Sequence, residues 1–325
     1  MTMGTFYAAM DIGGSSIKGM LATRGHEKIC SGTVPTVIAN GAHGIIEGVL
    51  RLTSDLMAKA DLAPTDLAGI GVSSFGFIDA ERGVGIKSLR LDIEGFPYVD
   101  ILTRRLGVPA VIDNDARMAV LGEMRFGAAA GHRDIVQFTL GTALATGMVI
   151  DGKLVRGRNN VAGEVSHFVI ETTGGLTCTC GRKGCARTYV SARAMKEHAL
   201  ELMEEDRGSR LWAMSGNDKA AFELTMLADA ISAGDRVAVA VRDRLVLYLA
   251  SLCSSTMFML NPGIVIIGGG VSNLGEHLMV PLRARIQQDM FYPAHDCPVT
   301  RAALGAESGM YGALAMISDT VSQMS

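Results

Sequence analysis

Short apolar runs typical of β-strands alternate along the chain with longer amphipathic stretches typical of helices. Three of the strand patterns end in a glycine-rich tip. They are the hairpin Phe6–Leu21 with Gly13-Gly14, the hairpin Ile135–Ile150 with Gly141-Thr142, and the run Ile264–Ile267 followed by Gly268-Gly269-Gly270. The return of one hairpin pattern predicts a duplicated domain rather than a single sheet.

Between these tips, the pattern predicts both helices and further strands. The helices are Ile45–Ala60, Ala116–Phe126 and Arg236–Leu260, and the strands are Gly69–Ser73 and Pro109–Ile112. This alternation favours an α/β architecture. The long helix should end at Asn261, because a residue before proline is biased out of the helical region. Polar residues such as Tyr248 interrupt its apolar run, which indicates a buried helix rather than a membrane span.

Length and charge narrow the class of protein. A chain of 325 residues exceeds the roughly 250–300 residues that one core organises, so two lobes are expected. The chain has 30 basic and 33 acidic residues. The resulting net charge of -3 argues against nucleic acid or an anionic membrane as partner. The first residues, Met1–Tyr7, show no secretion signal, and we expect a cytoplasmic protein.

Three of the six cysteines, Cys178, Cys180 and Cys185, lie in one glycine-rich loop downstream of His167. In a reducing compartment such a cluster holds metal more often than disulfides. One imidazole and three thiolates make a closed tetrahedral zinc site with no open position for catalysis. We therefore predict a structural zinc, with the second ring nitrogen of His167 available to a ligand.

The glycine tips suit phosphate binding. The chain has no GxxxxGK[ST] motif, but backbone N–H groups of a glycine-rich turn form a concavity that binds anions. Asp11, just before the first tip, can hold water on a Mg²⁺ that bridges phosphates. Each tip alone is more consistent with a tight turn or a packing loop than with a phosphate site. The three tips in this order favour a nucleotide site.

The run Asp113-Asn114-Asp115 lies where a strand gives way to a helix. A helix N-cap accounts for one such residue but not for three. A carboxylate that accepts the proton of an attacking hydroxyl, as in phosphoryl transfer, is a better account of the run.

Together these motifs resemble those of actin-like ATPases, and most closely the ROK family of sugar kinases, over residues 5 to about 317. The resemblance includes the closing segment 304–313. It implies an α/β fold of two actin-like, ribonuclease-H-like lobes with an interdomain cleft that holds ATP, Mg²⁺ and a sugar. The small N-terminal lobe would span 1–115, completed by about 306–325, and the large lobe with the zinc loop 116–305. A homodimer is also implied.

The resemblance assigns roles to individual residues. Asp115 is the expected general base, and Asn114, Glu164 and His167 are expected to bind the sugar. The loop residues Cys178, Cys180 and Cys185 match the family's zinc loop. The expected nucleotide-binding residues are Asp11, Gly13, Gly14, Ser15, Gly141, Thr142, Gly268, Gly269 and Gly270. The implied reaction is ATP-dependent phosphorylation of a hexose or hexose derivative at its 6-hydroxyl.

Several positions depart from the family pattern. Residues 143–146 replace glycines of the second tip and are expected to bring methyl groups near the nucleotide. Arg117 stands for an asparagine, and Ser166 for a glycine. Arg187 stands where the family has a glutamate that touches the sugar near its anomeric carbon. We consider two hypotheses: Arg187 binds an anionic substrate, or it pairs with a nearby acid such as Glu164.

Other functions compete with a kinase. The altered second tip and Arg187 favour a catalytically weak sugar sensor, whereas Asp11 and Asp115 argue against it. A ROK-type repressor would need a winged helix ahead of the strand at Phe6. An acetate-kinase-like or heat-shock-like ATPase would not explain the zinc loop.

Overall fold

The structure, a computed structural model, describes residues 4–88, 93–291 and 296–324. Of the N-terminal stretch without a signal, Met1–Met3 lie outside the described residues. The chain forms two compact units. Unit 1 comprises Met1–Gly131, Lys153–Ala162 and Ala306–Ser325, and unit 2 comprises His132–Gly152 and Gly163–Gly305.

The strands are β1 (Phe6–Ile12), β2 (Ser16–Thr23), β3 (Lys28–Pro35), β4 (Leu67–Ser74), β5 (Phe77–Asp79), β6 (Val84–Lys87), β7 (Glu94–Phe96), β8 (Ala110–Asn114), β9 (Ile135–Leu140), β10 (Leu144–Ile150), β11 (Lys153–Leu154), β12 (Ile264–Gly268) and β13 (Val299–Arg301). The α-helices are α1 (Gly41–Lys59), α2 (Tyr98–Leu106), α3 (Asp115–Phe126), α4 (Ala192–Glu205), α5 (Arg210–Met214), α6 (Met226–Ser232), α7 (Arg236–Leu260), α8 (Glu276–Asp289) and α9 (Ser308–Met324). The strands and helices predicted from the apolar pattern are confirmed to within a few residues.

The main sheet of unit 1 has the strand order β3-β2-β1-β4-β8. β1 and β2 form an antiparallel hairpin, whereas β4 runs parallel to both β1 and β8. Both faces of β1 are covered: Met10 packs in the cluster with α1 and α2, and Ala9 in the cluster with α3 and α9. This explains why β1 is apolar almost throughout instead of alternating.

Helices α3 and α9 cross in close backbone contact. A Cβ added to Gly312 would lie 1.8 Å from the carbonyl oxygen of Met118, and one added to Gly122 would lie 2.3 Å from that of Ser308. Only glycine permits such an approach. Because α3 packs on α9, unit 1 includes the whole of α3 and extends to Gly131, whereas the small lobe was expected to end at residue 115.

Within unit 2 the strand order is β10-β9-β12-β13. The hairpin β9–β10 is antiparallel, and β12 runs parallel to β9, as β4 does to β1 in unit 1. This shared topology confirms the predicted duplication. Helix α7 ends at Asn261, whose left-handed φ of 43° caps it before Pro262. Among the described residues, the helices are all too short or too polar to cross a membrane.

Candidate active site

The first glycine tip closes the β1–β2 hairpin in unit 1, where the Gly13 N–H donates to the Ser16 carbonyl at 2.9 Å. Asp11 precedes this tip, and its Oδ1 accepts a hydrogen bond of 2.6 Å from the Ser73 hydroxyl. The first turn of α9 lies against this carboxylate, since a Cβ on Gly309 would stand 2.8 Å from Oδ1.

Burial raises the pKa of the Asp11 carboxyl, and the hydrogen bond from Ser73 opposes this only in part. A nearby cation would stabilise the ionised form. The donor set, a carboxylate on a rigid strand beside a glycine tip, therefore fits a site for hydrated Mg²⁺.

The second and third tips lie side by side in unit 2. Gly269 has φ of 81°, and a Cβ there would stand 2.5 Å from the carbonyl oxygen of Leu140, the residue before the second tip. The Gly141 carbonyl accepts a hydrogen bond of 2.8 Å from the N–H of Ala192, the first residue of α4. The close backbone approach and this hydrogen bond thus hold the two tips and the start of α4 together as one surface.

A cavity of about 710 Å³ opens beside these two tips, a volume within the roughly 300–1,000 Å³ typical of small-molecule sites. Thr142 and Gly270 line it together with apolar side chains of α4 and α6, and an ion pair of 3.1 Å between Lys196 and Glu223 lies at the same cavity. The lining fits a nucleoside with a polar end at the tips.

Replacement of the usual glycines in the second tip has a smaller effect than expected. Leu144 and Thr146 are buried, so their side chains point into unit 2. Ala143 and Ala145 are half-buried, and of the four residues at 143–146 only these two keep methyl groups partly accessible.

The run Asp113-Asn114-Asp115 spans the end of β8 and the first residue of α3. The Asn114 side chain caps α3, with Oδ1 accepting from the N–H of Ala116 at 3.0 Å, while its Nδ2 donates to the Gly76 carbonyl at 3.0 Å. The predicted N-cap is therefore present, and it is Asn114 that provides it.

Asp113 is fully buried and bound by two arginines. Its Oδ1 accepts from Arg117 Nε at 2.5 Å, and its Oδ2 from Arg156 Nε at 2.8 Å. Arg117 also donates to the carbonyls of Ile78 and Asn160. The role of Arg117, seen in the sequence only as a departure from the family, is to neutralise Asp113 and to hold residues 156–160 against α3.

Asp115 is the half-buried carboxylate of the run, and its Oδ1 accepts a 2.9 Å hydrogen bond from the Ala116 N–H. It lies at the N-terminus of a 12-residue helix, where the helix dipole stabilises negative charge. Because this carboxylate is only half-buried, it is placed to accept a hydrogen bond from a hydroxyl.

Glu164 is exposed at the start of a 3₁₀ turn, Val165–His167, in unit 2. The preceding Gly163 has φ of 91°, and a Cβ on it would lie 2.7 Å from the carbonyl oxygen of Thr146 on β10. The glycine lets the turn lie directly on this strand, which fixes the position of Glu164.

His167, Cys178, Cys180 and Cys185 converge, with one ligand atom from each within 4.8 Å of the others. The His167 Nδ1 lies 3.7 Å from the sulfur of Cys178, and the sulfurs of Cys180 and Cys185 are also 3.7 Å apart. Zn–S bonds of about 2.3 Å in a tetrahedron place sulfurs about 3.8 Å apart, so the donor set fits zinc.

The local environment already assists one of these thiols. Hydrogen bonds from Arg182, first from its backbone N–H, lower the pKa of Cys180 to about 6, whereas burial raises the pKa of Cys185 to about 11. Nδ1 faces the sulfurs, which leaves Nε2 of His167 as the nitrogen that can donate to a ligand.

Arg187 lies in a 3₁₀ turn, Ala186–Thr188, directly after the last cysteine. Its side chain is half-buried and makes no hydrogen bond or ion pair within the part of the chain that the structure describes. Among the described residues, no ion pair therefore joins Arg187 to Glu164.

Sequence patterns gave no signal for Arg156 or for the pair Lys196–Glu223. The distance of 43 residues between Arg156 and Asp113 leaves no local pattern that signals their contact. Lys196 and Glu223 are common surface types, and only the cavity between their elements identifies them.

These features are those of a mixed α/β protein with two actin-like lobes, which is the predicted fold class. Relatives that match almost the whole chain confirm this fold class. The sequence matches the ROK family over residues 7–320, and the chain belongs to this family. Glucokinase of Thermotoga maritima is 33% identical over 315 residues, covering 96% of this chain and 97% of its own. Glucokinase of Halalkalibacterium halodurans is 30% identical over 308 residues, covering 94% and 93%.

A solved structure agrees. The ROK family glucokinase from Streptomyces griseus, in complex with glucose and AMPPNP, superposes with a TM-score of 0.82 at 28% identity and covers 98% of this chain and 99% of that chain.

Proposed function

We propose that the chain transfers the γ-phosphoryl group of ATP to the 6-hydroxyl of a hexose or hexose derivative, with Asp115 as the general base. The chain is an ATP-dependent sugar kinase by its full-length relationship to glucokinases. The proposal concerns the hydroxyl and the residues that do the chemistry.

The observation that carries the choice of Asp115 is the different environment of each member of the run 113–115. Asp113 is fully buried and neutralised by two arginines, so it has no access to a substrate. Asn114 has no basic oxygen and caps α3. Asp115 is the member with a carboxylate that is half accessible, and it accepts the hydroxyl proton as the sugar oxygen attacks the γ-phosphorus and ADP leaves.

The other predicted residues support this chemistry. Glu164 accepts hydrogen bonds from sugar hydroxyls, and Nε2 of His167 and the remaining N–H of Asn114 donate to them. The backbone N–H groups of Gly13, Gly14, Ser15, Gly141 and Thr142 bind phosphate oxygens, and Gly268, Gly269 and Gly270 lie against the nucleoside. Asp11 holds a water of a Mg²⁺, which neutralises charge on the phosphates. The zinc holds the loop between His167 and Arg187.

The oligomeric state and the location of the protein are proposed as well. We infer a cytoplasmic homodimer from the family resemblance, and light scattering of the purified chain measures the mass directly.

The experiment compares ADP release by wild type and by Asp115→Asn with ATP, Mg²⁺, and glucose, N-acetylglucosamine or mannose. The amide keeps the shape but cannot take a proton, so turnover should fall by about 100- to 10,000-fold while calorimetric sugar binding persists. Asp100→Asn, an exposed carboxylate in the first turn of α2, is the matched control. Turnover near that of wild type in Asp115→Asn would refute the assignment, and phosphate at another hydroxyl, located by NMR, would refute the 6-position.

A further inference from the structure

A second, smaller cavity of about 190 Å³ lies in unit 2 beside Arg187. A guanidinium carries five N–H donors in a planar fork. In Arg187 none of them reaches an acceptor within the described residues, although the side chain is half removed from water. A charged group in this position lacks the ion pair and hydrogen bonds that buried charges usually have.

The lining of this cavity has an excess of positive charge. Three arginines, Arg187, Arg193 and Arg244, face two carboxylates, Glu197 and Glu201. Of these, Arg193 is already paired with Glu197 at 2.7 Å.

The other two basic groups are engaged in weaker ways. Arg244 lies over the ring of Tyr189 with its Cζ 5.3 Å from the centroid. His198 also lines the cavity, and burial and the charge of Arg244 lower its pKa, so it is neutral at pH 7. The Nδ1 of His198 lies 3.6 Å from Glu201, too far for a hydrogen bond. Arg187 and Arg244 are therefore the two arginines of the lining without an ion pair among the described residues, and Arg187 is the one that also lacks a ring contact.

Thr142 lines both this cavity and the larger one, and so it connects the two. Thr142 belongs to the second glycine tip, and the tip is held to α4 through the hydrogen bond between Gly141 and Ala192. Ser191, the N-cap of α4, also lines the small cavity, so the positive end of a 14-residue helix adds to its field.

We propose that the small cavity at Arg187 is an oxyanion-binding site that takes one carboxylate or phosphate group of a ligand. A volume of about 190 Å³ holds such a group with a few waters, each of which occupies roughly 30 Å³ in the liquid, but not a nucleoside. The guanidinium fork matches two oxygens of either group bidentately.

The inference rests on the proposed function for the source of the oxyanion. The group belongs either to the acceptor, which would then be an acidic sugar, or to the terminal phosphate of the nucleotide next to Thr142.

The binding test is a calorimetric titration of the full chain with D-gluconate and, separately, with inorganic phosphate. Wild type should bind at least one of these probes. Arg187→Gln should weaken binding by at least about tenfold, and Arg187→Lys, which keeps the charge but loses the fork, by less. Arg210→Gln, an exposed arginine in the same unit, should bind as wild type does. Failure of wild type to bind either probe, or equal binding by Arg187→Gln, overturns the proposal.

Two further arms identify the source. If the acceptor supplies the oxyanion, Arg187→Gln raises the KM for an acidic sugar at least about tenfold more than it raises the KM for glucose or for ATP. If the nucleotide supplies it, the same variant loses affinity for AMPPNP but not for AMP. If no sugar is phosphorylated, the proposed function fails, while the titrations with gluconate and phosphate still decide whether the site exists.

Discussion

The Nε of Arg117 lies 2.5 Å from Oδ1 of Asp113, and the two side chains are only 4% and 0% exposed. This ion pair lies directly beside Asp115, since the chain runs from Asp113 through the N-cap Asn114 into α3. Its second carboxylate oxygen is bound by Arg156, so one buried charge joins β8, α3 and the segment 153–162. Removal of Arg117 would leave the buried Asp113 carboxylate with the partly exposed Arg156 as its remaining charged partner.

We expect Arg117→Met to lower the free energy of unfolding by roughly 3–5 kcal/mol, the usual result of breaking a buried pair. Urea unfolding followed by circular dichroism measures it. The control is Arg125→Met, which breaks the pair Arg125–Asp319 whose side chains are both about 40% exposed, and this should cost at most about 1 kcal/mol. Equal losses in the two variants would mean that Arg117 has no special structural role.

Local features of the chain were predictable from the sequence. Apolar runs next to glycine clusters located the hairpins β1–β2 and β9–β10, because strand periodicity and turn chemistry both act over a few residues. The convergence of His167, Cys178, Cys180 and Cys185 was predictable for the same reason, since three of the four lie within eight positions, Cys178 to Cys185.

Features that depend on tertiary packing were not predictable. Arg117 finds its partner across a strand–helix junction, and Arg156 reaches Asp113 from 43 residues away. The absence of a partner for Arg187 within the described residues is likewise a property of the folded unit. The extension of unit 1 through α3 to Gly131 was not predictable, because the contact of α3 with α9 joins residues almost 200 positions apart, such as Glu123 and Ser308.

We expect one zinc per chain, with removal by a chelator or by Cys178→Ser lowering the melting temperature by several degrees. A closed site of this type contributes directly to folding. Elemental analysis and differential scanning calorimetry test both points. Cys297→Ser, a half-buried cysteine outside the cluster, is the control and should keep the metal. A protein that is metal-free when purified without chelators, and equally stable with added zinc, would contradict the site.

We expect Asp11→Asn to lose at least about 100-fold in turnover without losing stability at pH 7. Burial raises the pKa of the Asp11 carboxyl in the folded state. The folded state therefore binds this proton more tightly than the unfolded state does. The stability contributed by this group is therefore greatest at low pH and falls as the pH rises through the folded pKa. An uncharged amide, which still accepts the Ser73 hydrogen bond, removes this dependence.

The measurements are turnover against Mg²⁺ concentration and the unfolding free energy between about pH 4 and pH 8. A large loss of stability in Asp11→Asn at pH 7 would show that the carboxylate is structural. Asp100→Asn, at an exposed carboxylate of the same unit, controls for the change of charge.

We expect Gly269→Ala to destabilise the chain by at least roughly 1–3 kcal/mol, the cost of a side chain at a left-handed φ, with further loss from steric overlap. The φ of Gly269 is 81°, and the new Cβ would lie 2.5 Å from the Leu140 carbonyl oxygen, which belongs to rigid backbone and cannot turn aside. The next residue supplies a matched control: a Cβ on Gly270 meets no atom of the described residues within 4 Å, and Gly270→Ala should leave the unfolding free energy nearly unchanged. Because the overlap pushes the third tip away from the second, Gly269→Ala should also weaken AMPPNP binding, measured by calorimetry at a temperature where the variant is still folded. If the two alanine variants are instead equally stable, the two tips are free to separate. The close contact between Gly269 and Leu140 would then not be what holds them together.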